Sequence, residues 1–136
     1  MRYIDSNIFI NNLIGDNRLG EAAEKYLEAV AAGKETAVTS VHTMIEIYAF
    51  LKSKRLSEQK IAGILREISL HGVTLLPFEA EFLLQALPMV KRGWKLGDAI
   101  HCLTMMKHNI NEIVTDDMHF DNIESIKRID ILKMTF

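Results

Sequence analysis

The chain has 136 residues, 49% of them apolar and 25% charged, with 18 acidic residues against 16 Lys and Arg and a formal net charge of −2. That length suits one domain around one real core, expected to span residues 1–136. The charge balance lacks the basic field that advertises nucleic acid on its own. A lone Cys102 excludes an internal disulfide and fits a reducing, cytoplasmic compartment. The apolar start is too short for a secretory signal, and no apolar run reaches the length of a membrane span.

In chain order, Arg2–Asp5 reads as a strand, Asn7–Ile14 and Gly20–Ala32 as helices, and Ala37–Thr39 as a second strand. Val41–Ser53 and Glu58–Leu70 are helical patterns, and Val73–Leu76 is a third strand. Glu79–Arg92 is a helix that Pro88 should bend or interrupt, and Asp98–His108 is another. Glu112–Thr115 and Ile129–Lys133 complete the strands. Gly33, Gly72 and Gly93 each follow a helical pattern, as residues just past a helix end do. Strands separated by helices predict parallel pairing, and their mostly apolar composition predicts a sheet covered on both faces. The fold class is α/β with about five strands. Ligands of such sheets bind beyond the carboxyl ends of the strands.

Asp5 stands at that edge, between Tyr3-Ile4 and the apolar run Ile8-Phe9-Ile10. Asp5 or Ser6 can also simply cap the helix that follows. The same edge recurs where Ile113-Val114-Thr115 runs into Asp116-Asp117. One carboxylate would suffice for a turn; two adjacent ones repel, and a divalent cation relieves that. Glu46 lies in a helix that is apolar almost all round, sharing its polar strip with His42 and Thr43 only, so this helix is expected to be buried. Asp98 shares a stripe with Cys102 and Met105. A first-turn aspartate complements the helix dipole, but that does not explain its apolar face. Hard oxygen ligands without Cys or clustered His suit Mg²⁺ or Mn²⁺ rather than zinc. The five histidines show no ligand spacing, and His101 is expected to pack or to face solvent.

These residues resemble the PIN domain family, in particular its VapC-type toxin nucleases. The resemblance covers nearly the whole chain. It is carried by Asp5-Ser6-Asn7 before an apolar helix, by Glu46 in HTMIEIYAFL, by Asp98 in LGDAIHCLTMM, and by Thr115-Asp116-Asp117 with Phe120. It implies a three-layer α/β/α fold with a central parallel sheet and an acidic quartet of Asp5, Glu46, Asp98 and Asp117. The implied activity is Mg²⁺- or Mn²⁺-dependent hydrolysis of RNA phosphodiesters, with Thr115 or Ser6 holding a ligand or a water. His119 stands where the family often carries a further Asp, which bears on a second metal position; Asp116 is read as a supporting or turn residue. A small antitoxin partner is implied, and a homodimer is expected.

Lys91, Arg92, Trp94 and Lys95 either grip RNA or form a solvated loop with one half-buried Trp. The stripes Ile8/Phe9/Leu13 and Ile61/Leu65/Ile68 are either core or a partner's groove. Other readings are a housekeeping RNA-processing nuclease, a PIN module without catalysis, and a receiver-like Mg²⁺-binding signalling domain.

Overall fold

A computed structural model describes every residue, Met1–Phe136. Five strands form the sheet: β1 (Arg2–Ile4), β2 (Ala37–Ser40), β3 (Thr74–Leu76), β4 (Glu112–Val114) and β5 (Lys127–Ile129). All neighbours pair in parallel, in the order β3-β2-β1-β4-β5. Six helices connect them: α1 (Ser6–Ile14), α2 (Gly20–Ala31), α3 (Val41–Ser53), α4 (Glu58–Leu70), α5 (Ala80–Lys91) and α6 (Leu96–Lys107). Local chemistry sets their ends. Asp5, Ser40 and Ser57 cap α1, α3 and α4, each accepting a backbone N–H of the first turn. Gly93 turns the chain out of α5 at φ 102°, a conformation that a side chain would resist.

Alternation along the strands sorts the core into two layers. Ile4 and Val114 face one side, where they pack with Ile8 and Phe9 of α1, Tyr26 of α2, Ile47 of α3 and Ile61 of α4. Tyr3, Val38 and Ile113 face the other, against Cys102 and Met105 of α6 and the buried Phe120. Phe82 and Ala86 of α5 close against Ala99 and Ile100 of α6. The result is the expected three-layer α/β/α sandwich. The strands therefore bury side chains on both faces and need no polar alternation.

One local expectation is narrowed and two are corrected. Of the two outcomes expected at Pro88, interruption does not occur; α5 runs through it to Lys91. Leu84, whose carbonyl loses its partner four residues on, is 70% exposed, so water can satisfy that group. The last strand is Lys127–Ile129 rather than Ile129–Lys133, because Asp130 accepts from Leu132 N and folds Ile131–Lys133 into a 3-10 turn. Finally, α3 is not buried all round: Thr43, Ile47 and Leu51 are inside, while Val41, Ile45 and Tyr48 are 38%, 53% and 38% exposed.

Candidate active site

The strand order reverses direction between β1 and β4, the point where an open parallel sheet leaves a crevice beyond its carboxyl ends. Asp5 follows β1 directly, and its backbone N–H donates to Val114 O, which locks the two strand ends together. Thr115 follows β4. Its hydroxyl donates to Asp5 Oδ2 (2.7 Å) and accepts from Asn7 Nδ2 (2.9 Å) and from the Asp117 backbone N–H (3.0 Å). One buried hydroxyl thus fixes the positions of both strand-end carboxylates. Asp5 is only 6% exposed. Its Oδ1 accepts the Ser6 N–H at 2.7 Å, so the aspartate caps α1 and also faces the crevice. The two readings of Asp5 describe one side chain with two oxygens.

Asp98 enters from the first turn of α6 and comes near Asp117 and His119, with ligand atoms of all three within 4.8 Å of one another. Burial, and then the charges of Asp117 and Asp5, push its carboxyl above the usual range. No Lys or Arg forms an ion pair with Asp5, Asp98 or Asp117; their contacts are His101 at 3.4 Å from Asp5 and His119 at 3.0 Å from Asp117. Three carboxylates from three elements, without a neutralising ammonium or guanidinium, are a donor set that fits a hard divalent cation.

Glu46 reaches the same region from α3 and is the exception among the acids. His101 donates from Nε2 to Glu46 Oε1 at 2.6 Å. The ring's Nδ1 lies 2.6 Å from Tyr3 Oη, which in turn donates to Ser40 Oγ at 2.6 Å. With the tyrosine proton on Ser40, Nδ1 would donate to Tyr3 Oη, and a ring protonated on both nitrogens would satisfy both contacts. Burial works against that charge, yet the hydrogen bond to Glu46 and the charge of Asp5 outweigh it and raise the His101 pKa. The same pair carries Glu46 the other way: burial opposes ionisation, but His101 holds its pKa below the usual range. His42, one turn before Glu46, is lowered by burial and by the charge of His101.

His101, expected to pack or to face solvent, packs: it is 1% exposed, and its contacts with Glu46 and Tyr3 set it inside the acidic crevice. His42 and His101 also form a group with Glu46, although their sequence spacing shows no ligand pattern. Asn7, Tyr3 and Ser40 also belong to the site, with no role that the sequence assigns them. Only Asn7 carried a sequence signal, its place directly after Asp5-Ser6. Asp116 turns away from the crevice; its carboxylate pairs with Arg18 at 2.6 Å, and its N–H donates to Asn7 Oδ1, as suits a turn residue. Lys91, Arg92 and Lys95 are exposed and Trp94 is half-buried. Arg92, Trp94 and Lys95 line an open pocket of about 360 Å³ whose wall includes Asp98 and His119.

The architecture and the crevice define a class: a three-layer α/β/α protein with carboxylates gathered at its switch point. The PIN domain family model matches residues 2–126, and the chain belongs to that family. The receiver-like alternative is thereby set aside, as is its 2-1-3-4-5 strand order, which differs from the one here. Solved structures share the fold. VapC20 of Mycobacterium tuberculosis, described as a toxin that cleaves the sarcin-ricin loop, is 18% identical with a TM-score of 0.72, over 91% of this chain and 95% of that one. VapBC2 of Rickettsia felis, bound to a DNA fragment from its promoter, is 16% identical with a TM-score of 0.69, over 95% and 98%. A toxin–antitoxin complex from Klebsiella pneumoniae is 20% identical with a TM-score of 0.63, over 96% and 98%. No curated protein sequence matches the chain.

Proposed function

We propose that residues 1–136 form a single Mg²⁺- or Mn²⁺-dependent nuclease domain that hydrolyses RNA phosphodiester bonds. We further propose that it is the toxin of a toxin–antitoxin pair acting in the cytoplasm. The observation that carries the reading is the pairing of Asp98 with Asp117, with the charge of Asp5 also felt at Asp98 and no lysine or arginine ion-paired to any of the three. Asp5, Asp98 and Asp117 would hold the ion, with Glu46 at the margin. A bound divalent ion supplies charge stabilisation for phosphoryl oxygens and acidifies water. The protein's part is to pre-organise: Thr115 and Asn7 hold Asp5, Thr115 holds the loop of Asp117, and His101 keeps Glu46 ionised. Beside Asp98, Trp94 offers a face for a base, and Arg92 and Lys95 offer charge to flanking phosphates; Lys91 extends that edge.

Two surfaces support the partners. A groove of about 410 Å³ among α1, α2 and α4 is lined by Phe9, Leu13, Leu27 and Ile68, with Glu24 and Glu67 beside them. An amphipathic antitoxin helix with basic flanks would fit such a groove. Ile8 and Ile61, the other ends of those sequence stripes, belong to the core. Exposed Ile45 and Tyr48 on α3, with Leu83, Leu84 and Leu87 on α5, offer apolar surface for a homodimer.

The test is cleavage of labelled single-stranded RNA, and of DNA of the same sequence, by purified protein in Mg²⁺, Mn²⁺ or EDTA. RNA cleavage that needs the metal and is lost in Asp5→Ala supports the reading. No cleavage in millimolar Mn²⁺ overturns it, and preference for DNA overturns the substrate. Growth arrest on expression alone, relieved by a co-expressed small partner that copurifies, supports the toxin role. An active RNase that leaves growth unaffected favours RNA processing instead.

A further inference from the structure

We propose that His42, Glu46 and His101, with Asp5 beside them, form a second cation site that takes Zn²⁺ or a similar borderline transition ion. Its occupation would draw Glu46 and Asp5 away from the nuclease centre. Only that consequence rests on the ribonuclease reading; the binding does not.

His42 and Glu46 are one helical turn apart on α3, so both project from one face. α6 brings His101 against them, and one ligand atom from each of the three lies within 4.8 Å of the others. Four ligands at about 2.1 Å around a tetrahedral ion are about 3.4 Å apart. His101 Nε2 is 3.4 Å from Asp5 Oδ1, and His42 Nε2 is 3.9 Å from Glu46 Oε1, both close to that spacing. The 2.6 Å contact of His101 with Glu46 is a hydrogen bond and must open. The Nε2 proton leaves to solvent as the ion takes its place.

Two independent features point to a ligand. His42 Nε2 is buried and has no hydrogen-bond partner, an uncommon condition for a polar atom withdrawn from water. Gly97 stands opposite: a Cβ there would come 3.2 Å from Glu46 Oε2 and 3.4 Å from His42 Nε2. The absence of a side chain at Gly97 therefore keeps the space beside both atoms open. Tyr3 completes the arrangement. With its hydroxyl on His101 Nδ1, the ring presents Nε2 to the crevice, the outer contact that orients a metal-binding histidine. Two imidazoles select against Mg²⁺, which prefers oxygen and its own waters, and favour Zn²⁺, Co²⁺ or Ni²⁺. The crevice would then sort cations by donor type, with hard ions on Asp98 and Asp117 and borderline ions on the histidines.

Metal-free full-length protein titrated with Co²⁺ tests the site directly, because tetrahedral Co²⁺ absorbs far more strongly in the visible than octahedral Co²⁺. The expected result is one equivalent with a tetrahedral spectrum, erased by Zn²⁺. In His42→Gln, Zn²⁺ affinity should fall by at least about tenfold. The Zn²⁺ concentration that halves Mg²⁺-supported cleavage should rise in step. A Co²⁺ spectrum that stays octahedral in the wild-type protein overturns the site without recourse to any variant. Zn²⁺ affinity unchanged in a folded His42→Gln also overturns it. A tetrahedral signature in a protein that cleaves no RNA in Mg²⁺ or Mn²⁺ supports the site and overturns the nuclease reading alone.

Discussion

Glu46 on α3 accepts a 2.6 Å hydrogen bond from the buried His101, whereas Asp98 on α6 faces the charges of Asp117 and Asp5. Both are helical acids at the same end of the sheet, and both are partly withdrawn from water. Their pKa values nevertheless move in opposite directions, Glu46 down and Asp98 up. Desolvation opposes ionisation in each, so the neighbours decide the sign. The folded protein gives Glu46 a close hydrogen-bonded imidazole, whereas at Asp98 burial and the two neighbouring carboxylates outweigh His101 and Lys95. Glu46 is thus a fixed, internally compensated anion, and Asp98 is an anion whose compensation must come from outside.

Asp98→Asn is the most severe test of that contrast. RNA cleavage should fall by at least about a hundredfold, at or beyond the upper end of what losing an outer contact to a metal ligand does. The metal-free fold should be as stable or more so. The sign also sets a pH dependence. Asp98 is raised above 3.8, so its contribution to stability is fully present below 3.8 and is lost as pH rises through the folded pKa. In EDTA the variant should therefore melt above wild type at neutral pH, and the gap should close as the pH approaches 3.8. An unfolded variant, or a gap that widens in acid, would make Asp98 a structural residue.

External compensation can also be measured without mutation. Mn²⁺ at a hundredfold excess over its dissociation constant should stabilise the wild type by about 2.7 kcal/mol, read from the denaturant midpoint. Unchanged midpoints with and without EDTA would remove the contrast between the two acids.

Tyr3→Phe probes the compensated side. It leaves His101 Nδ1 without its partner in a fully buried position, while Ser40 Oγ keeps the Thr43 N–H, at a cost of about 1–3 kcal/mol. Equal urea midpoints for variant and wild type would mean that the network does not tighten the Glu46 side. The smallest effect belongs to Arg18→Ala. Its pair with Asp116 is largely exposed, so stability should drop by less than about 1 kcal/mol and cleavage should persist. A large loss of cleavage would place Asp116 among the working acids after all.

What the sequence determined by itself is the local part. Periodicity placed α3 and α4 at the bounds observed, since the spacing of apolar residues in a helix is a property of neighbours a turn apart. The strand ends placed Asp5 and the Asp116/Asp117 pair on the sheet's ligand-bearing edge, because a parallel sheet leaves its crevice there. Tertiary structure decided which acids stand alone. Tyr3 and His101 are 98 positions apart, and His101 and Glu46 are 55 apart, so nothing in either neighbourhood announces their hydrogen bonds. It also decided which apolar face of α3 meets the core, since a helix hydrophobic almost all round does not specify its own orientation. The last strand shows the same limit: Lys127–Ile129 is ordered by pairing with Glu112–Val114, a register that distant residues impose and local hydrophobicity does not encode.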